Sequence, residues 1–417
     1  MESSTDMRPP RIMIVAGEAS GDMHGAKLAH AIKRRSTHSV LFGIGGHAMR
    51  AQAVRLFVDA RTLSVVGITE VLTRLPTIVR AFRAAQYALK RLKPDLLILI
   101  DFPDFNFHVA AAAKRLDIPV LYYISPQIWA WRQNRVKRIR RLVDHMAVIL
   151  PFEARFYRDH RVPVTFVGHP LLDRFPPAPG RRSPAAATEP VIGLIPGSRD
   201  KEVSTLLPIM LEAAVVVRRR LPAARFMVSC AESIDERRVA DTVDPYRSSL
   251  EIEIVRGAVD PIFEQSRLLV AASGTVTLEA ALYGVPTIIV YKVSPLSYWL
   301  GKRLIKVKHI GIVNLIVGKA LLPELIQDDA AAPTIADRIT DMIGDPRRLA
   351  RMEADLLHVR DLLGGAGASD RVAKIALDLI AKPPPRSFPA PASSASPPGL
   401  GSKGRPCRTS DRRSRPR

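Results

Sequence analysis

Cysteine is nearly missing, since 417 residues hold only Cys230 and Cys407. One falls in a run that reads as a core strand and the other near the C-terminus, so they form neither a disulfide framework nor a metal-ligand spacing. Neither a disulfide-stapled scaffold nor structural zinc is indicated. Long apolar runs are missing too: no stretch approaches the roughly 20 uncharged apolar residues that a membrane-spanning helix requires. The first ten residues, MESSTDMRPP, lack an apolar targeting core and lead directly into a strand-like run, which makes a cytoplasmic location the expectation. No internal repeat of solenoid period is found.

What is present is globular in composition, with 47% hydrophobic and 24% charged residues. The length suits two domains of roughly 150 to 200 residues, each large enough to bury its own core. Lys and Arg outnumber Asp and Glu by 62 to 40, a net charge of +22, which points to anionic partners: phosphorylated substrates, anionic lipid or nucleic acid. Eight basic residues and one acidic residue fall in 383–417, so +7 of the total sits in a Pro, Ser and Gly-rich tail without periodicity, which reads as disordered.

Short apolar runs bounded by turn residues alternate with helical patterns, the pattern of βαβ units around buried parallel sheets. Six such runs, at 12–16, 39–44, 95–100, 119–124, 145–150 and 164–167, predict a first α/β domain over 11–172 after a short leader, 1–10. The Pro, Arg and Ala-rich segment 173–190 reads as a linker. Five more runs, at 191–196, 225–229, 251–255, 267–272 and 286–291, predict a second doubly wound domain over 191–345. Helices alone follow over 346–382, the last of them expected to pack back on the first domain. One helical segment, carrying Leu75, Ile78, Val79, Phe82 and Leu89 on one stripe and Arg74, Arg80, Arg83, Lys90 and Arg91 beside it, suits either a core-facing helix or one lying on a lipid surface.

The candidate chemistry lies where strands end. Gly17, Glu18, Ala19, Ser20, Gly21 and Asp22 follow the first run, at the carboxyl end where open α/β sheets form their ligand crevice. This loop matches neither GxGxxG nor a P-loop, and its two carboxylates favour hydroxyl recognition over phosphate; the simpler alternative is a tight turn with Ser20 capping a helix. Asp101, Phe102, Pro103, Asp104, Phe105 and Asn106 follow the run 95–100, placing two carboxylates at the same crevice. Either carboxylate suits a general base, and Asp104 or Asn106 also suits a helix cap. Ser125 to Arg132, SPQIWAWR, brings Trp129 and Trp131, suited to sugar or acyl contacts as well as to packing. The basic run after it is helical and lacks any nucleic-acid-binding module, so no nucleic-acid partner is expected.

In the second domain, Ser198 and Arg199 lie beside a predicted helix start, where a guanidinium fork suits a diphosphate. Ser273, Gly274 and Thr275 open a helix that carries Glu279 one turn on, an arrangement of amides for phosphate and a carboxylate for vicinal hydroxyls. Together they fit a sugar nucleotide. Asn314 and Gln327 are polar residues in apolar surroundings, equally suited to a loop contact and a ligand contact.

GEASGD, LSVVGITEVL, DFPDFN, YISPQIWAWR, LPFE, VGHP, LIPGSR, ASGTVTLE and NLIVGKALLPELIQ, in that order, closely resemble the lipid-A-disaccharide synthase family. The resemblance implies two Rossmann-like domains facing a cleft (glycosyltransferase B type) and an inverting transfer without metal or other cofactor. It implies a UDP-2,3-diacylglucosamine donor, a 2,3-diacylglucosamine 1-phosphate acceptor and a β-1,6-linked disaccharide 1-phosphate product. Residue by residue, it makes Asp101 the base, with Glu18 its neighbour and Arg199 the diphosphate contact. Ser198, Gly274, Thr275, Glu279, Asn314 and Gln327 fall to the donor, with Glu279 on the ribose. Gly17, Ser20, Gly21, Asp22, Asp104, Ser125 and Trp129 fall to the acceptor.

Ala19 stands where the family commonly has Thr, and the tail has no family counterpart. A peripheral location on the cytoplasmic face of the inner membrane, on anionic lipid, is expected, and a homodimer is compatible with the sequence. The rival enzyme readings, a UDP-N-acetylglucosamine epimerase or a cell-wall glycosyltransferase, share the two-domain plan but not the DFPDFN and SPQIWAWR segments. A catalytically silent lipid-binding protein is disfavoured by the retained Asp101, Arg199 and Glu279.

Overall fold

The computed structural model describes residues 8–63, 68–175, 189–305 and 307–384. Most of the expected linker, the basic tail from residue 385 onward and residues 64–67 of the LSVVGITEVL segment lie outside them. Two parallel sheets organise the chain. The first contains β1 (Arg11–Ala16), β2 (Val40–Gly45), β3 (Arg55–Asp59), β4 (Leu96–Ile100), β5 (Val120–Tyr123), β6 (His145–Val148) and β7 (Val164–Phe166). The second contains β8 (Val191–Ile195), β9 (Arg225–Cys230), β10 (Ile252–Arg256), β11 (Leu268–Ala272), β12 (Thr287–Tyr291) and β13 (Glu324–Ile326).

The orders are β3-β2-β1-β4-β5-β6-β7 and β10-β9-β8-β11-β12-β13, with every pairing parallel. Helices cover both faces, so the central strands are buried end to end: β4, β8 and β11 have no residue that is not buried. That is why they read as unbroken apolar runs. The outer strands escape that pattern, β7 and β10 being partly exposed along their whole length. β3 is a half-exposed edge strand, and β13 is three residues long.

Strand order reverses between β1 and β4 in the first sheet and between β8 and β11 in the second. In open α/β sheets ligands bind outside the carboxyl ends of the strands at such switch points. All four candidate loops sit there: residues 17–22 after β1, 101–106 after β4, 196–199 after β8 and 273–275 after β11.

The C-terminal helices Ala332–Ile343, Pro346–Leu362 and Ala368–Ala381 divide between the two sheets. The first two pack in the second domain, while Ala368–Ala381 returns to the helix Ala19–Arg35 of the first, where Val372, Ala373 and Ala376 complete the core under β1 and β4. The chain therefore passes between the domains twice, and the two passages are stitched together. Gly367 N donates to Asp173 Oδ1 at 2.6 Å, His169 N to the Leu363 carbonyl at 3.0 Å, and Arg360 Nη2 to the Phe175 carbonyl at 2.6 Å.

Candidate active site

At the first switch point β1 ends at Ala16, and the helix Ala19–Arg35 begins after Gly17 and the extended cap residue Glu18. A side chain at Gly17 would place its Cβ 2.3 Å from the Phe102 ring, so only glycine lets the β1 loop lie against the β4 loop. At Gly21 an added Cβ would lie in ordinary contact with Ala16 (3.4 Å) and Ile100 (3.7 Å), so that position has room for a small side chain. Glu18 and Ser20 are exposed, and Ser20 sits inside the first turn with Glu18 as the cap residue, which corrects the capping alternative for Ser20.

Asp22 is spent elsewhere. Its carboxylate accepts from Gly46 N (2.7 Å), Ala48 N (2.9 Å) and Met49 N (3.1 Å), holding the start of the helix His47–Ala51. The expected acceptor contact of Asp22 gives way to this buried anchor, because three backbone donors occupy its oxygens.

Asp101 and Phe102 both adopt left-handed backbone, with φ of 45° and 50°. Such conformations cost non-glycine residues of order 1–3 kcal/mol and persist where surroundings enforce them. Here Asn106 Nδ2 and Tyr122 Oη each donate to the Asp101 carbonyl at 2.6 Å, and both side chains are buried. The peptide is clamped and the carboxyl is left at the crevice. Burial, then the charge of Glu18, push that carboxyl up to about 6, against the pull of the Phe102 amide. A carboxyl raised this far has a proton affinity suited to general-base work near neutral pH.

Neither Asp104 nor Asn106 caps the helix Pro103–Lys114. Asp104 is exposed and pairs with Arg135 at 2.8 Å, an arrangement that leaves Asp101 as the better-placed base. Beside Glu18 and Phe102 opens an apolar cavity of about 600 Å³, walled by Leu63, Ile78, Val79, Phe82 and Phe105. The basic amphipathic segment faces the core with one stripe and leaves apolar groups exposed on another. Ile78, Phe82 and Leu89 pack inward, while Leu75, Val79 and Tyr87 face solvent with Arg80, Arg83 and Lys90.

The SPQIWAWR loop is pinned from below by Glu153, a residue to which the sequence reading assigns no role. Its side chain accepts from the Trp129 indole at 3.0 Å and from Leu150 N at 3.1 Å, and burial pushes its carboxyl up to about 7. The clue lay in LPFE, where glutamate stands three residues after the cap position Leu150 and reaches back to it. Trp129 is consequently buried, although it lines the cleft between the domains; Trp131 is the exposed tryptophan there, stacked on Arg132. Ser125 Oγ lies 2.6 Å from Tyr157 Oη and is buried.

At the second switch point Gly197 takes φ of 117°, a turn that turns Ser198 and Arg199 outward. Glu202 accepts from Ser198 N at 3.3 Å and from Arg199 Nη1 at 2.7 Å, so the guanidinium is oriented yet exposed. Gly274 and Thr275 are exposed at the start of the helix Thr275–Leu282, and a Cβ on Gly274 would meet nothing within 4 Å. Its open backbone suits a phosphate. Glu279 is mostly buried; burial raises its carboxyl pKa, Arg174 opposes that and Asp260 adds to it.

Asn314 is fully buried and fully used. Its amide donates to the Leu322 carbonyl (2.8 Å) and Glu324 Oε1 (2.7 Å) and accepts from Leu321 N (2.9 Å) and Leu322 N (2.8 Å). Gln327 clamps Val293 through both of its backbone groups, at 2.7 and 3.0 Å. The loop-contact alternative is what the geometry shows for both residues, and a direct donor contact is not, because the amide groups are already engaged with protein. Their work is to hold the chain behind the cleft wall.

That cleft, about 640 Å³, brings Gln127, Trp129 and Trp131 of the first domain opposite Arg199, Ser273, Gly274 and Thr275 of the second. Glu18 and Asp101 form a separate group at the first switch point.

Two doubly wound domains with an arginine and helix-start amides lining the cleft between them define the glycosyltransferase B architecture. Solved structures with this fold include a putative UDP-N-acetylglucosamine 2-epimerase from Listeria monocytogenes (11% identity, TM-score 0.59, covering 91% of this chain and 98% of that one). Another is the glycotransferase of kitacinnamycin (15%, 0.58, 89% and 99%). The chain belongs to the lipid-A-disaccharide synthetase family, whose model matches residues 12–376. The lipid-A-disaccharide synthase of Geobacter metallireducens is 47% identical over 89% of this chain and 98% of that protein. Its Coxiella burnetii counterpart is 39% identical over 88% and 98%.

Proposed function

We propose that the chain transfers 2,3-diacylglucosamine from UDP to the 6-hydroxyl of 2,3-diacylglucosamine 1-phosphate, giving the β-1,6-linked disaccharide 1-phosphate and UDP. The observation that carries this reading is Asp101, clamped in left-handed backbone at the first switch point with its carboxyl raised to about 6. Asp101 takes the acceptor proton as the hydroxyl oxygen bonds to the anomeric carbon from the face opposite UDP. The bond to the diphosphate breaks, and UDP leaves with the electron pair. Arg199 and the amides near Gly274 and Thr275 offset the charge growing on the diphosphate, and Glu279 serves the ribose.

The apolar cavity beside Glu18 and Phe102 suits an acyl chain of the acceptor. The exposed Leu75, Val79 and Tyr87 amid basic residues suit peripheral contact with anionic lipid on the cytoplasmic face of the inner membrane. Among the described residues no helix is long and apolar enough to cross a membrane. Incubating purified protein with the two diacylated sugars tests the activity: mass spectrometry should show UDP and the disaccharide 1-phosphate in equal amounts. Conversion of UDP-N-acetylglucosamine alone to an epimer, without disaccharide, would replace this reading with the epimerase one.

A further inference from the structure

From Ala280 to Pro323 the sequence contains no Asp or Glu but six basic residues: Lys292, Lys302, Arg303, Lys306, Lys308 and Lys319. The helix Pro295–Leu304 lies in the middle of this acid-free stretch, in the second domain. It leaves large apolar groups in water: Trp299 is 53% exposed, Leu304 42% and Ile305 43%. Arg303 stacks on Trp299 with its guanidinium 4.0 Å from the ring centroid, and Lys302 and Lys308 are exposed beside them. Exposed apolar groups this close together mark a contact surface rather than scattered surface residues.

We propose that this helix docks on an anionic lipid bilayer, Trp299 entering the headgroup layer and Lys302, Arg303 and Lys308 meeting lipid phosphates. Three observations select that occupant. Amphipathic tryptophan suits the membrane–water interface. Positive charge at the exposed Lys302, Arg303 and Lys308 suits an anionic surface. The apolar tip is continuous with the cleft, because Gly301, Leu304 and Ile305 also line it. The cleft's opposite rim repeats the pairing, with Arg132 stacked 4.0 Å from the centroid of exposed Trp131. A bilayer touching the helix Pro295–Leu304 would therefore lie at the mouth of the cleft, within reach of acylated substrates. The docking extends the proposed activity and rests on it only for the presence of such substrates in the membrane; the surface chemistry stands without it.

The test is co-sedimentation of the full chain with vesicles of phosphatidylcholine, alone or with 30% phosphatidylglycerol, a composition chosen as the probe. Trp299→Ser and the double variant Lys302→Gln/Arg303→Gln are compared with wild type, with circular dichroism and UDP calorimetry as checks on folding. Wild type should prefer the anionic vesicles, and each variant should lose roughly tenfold in partitioning. UDP release from detergent-dispersed substrates should be unchanged in both. Folded variants that bind anionic vesicles like wild type would overturn the proposal, as would a wild type indifferent to vesicle charge. So would a Trp299→Ser effect confined to loss of self-association in sedimentation, which would assign the face to a second copy of the chain. Absence of UDP release by wild type would instead sink the proposed activity and leave the vesicle result to stand by itself.

Discussion

Arg174 Nη1 lies 3.6 Å from Glu279 Oε2, while its Nη2 donates to Asp260 Oδ2 at 2.7 Å. Arg174 belongs to the first passage between the domains, so the carboxylate proposed for the ribose is tied to the hinge. Asp260 in turn accepts from Tyr283 Oη at 2.6 Å. The carboxylate proposed for the ribose and the domain crossing therefore share one charged cluster. Arg174→Ala should weaken UDP binding by about fivefold, near the 1 kcal/mol that a half-exposed pair contributes. Calorimetry reads this directly, and an unchanged Kd would show that the hinge and the ribose site are independent.

For Asp101 the expectation concerns chemistry rather than binding. Asp101→Asn should lower kcat by roughly 10² to 10⁴, with UDP affinity retained because the proposed nucleotide site lies in the other domain. Retention of more than about a tenth of wild-type turnover would remove Asp101 from the base role.

The pH profile follows from the same carboxyl. A base works only when ionised, so kcat/KM should rise with pH, with its midpoint near the raised value of about 6. Glu18 contributes part of that rise. Glu18→Gln should move the acidic limb to lower pH without abolishing it, since burial is the larger cause. A limb that stays in place would mean that the two carboxylates do not interact.

Arg199 is oriented by Glu202 and exposed to the cleft. Removing one donor from a developing charge typically costs 10² to 10³ in rate, and Arg199→Ala should lose about that much in kcat while melting like wild type. An unaltered kcat would rule out the diphosphate role.

Glu153 is predicted to make stability depend on pH. Its folded value of about 7 lies above the ordinary 4.5, so between those values the unfolded chain releases its proton first. Stability should fall as pH rises through that window, by up to about 3 kcal/mol. Glu153→Gln should flatten the dependence. Denaturant melts of both proteins at pH 5 and pH 8 check this, and parallel losses would disprove it.

The engaged amide of Asn314 leads to a contrast between fold and affinity. Asn314→Ala strands the amides of Leu321 and Leu322, each costing about 1–3 kcal/mol when buried without a partner. The midpoint of denaturation should drop markedly, and UDP affinity measured on the protein that remains folded should change little. A large affinity loss with normal stability would return Asn314 to direct ligand contact.

The architecture was legible because buried parallel strands must be apolar along their whole length, and β4, β8 and β11 are. β3 and β13 were not, one being a half-exposed edge and the other too short to show a period. The order of motifs from GEASGD to NLIVGKALLPELIQ was enough by itself to point to the family, since each is a local string. Only the tertiary structure decided which polar residues in those strings remain free for a ligand. Asp22 is consumed by amides 24 to 27 positions away, Asn314 and Gln327 by neighbouring loops, and Glu279 is joined to Arg174 across the hinge. Hydrogen-bond satisfaction, burial and the resulting shift of Asp101 depend on groups distant in sequence and adjacent in space, and no local pattern encodes them.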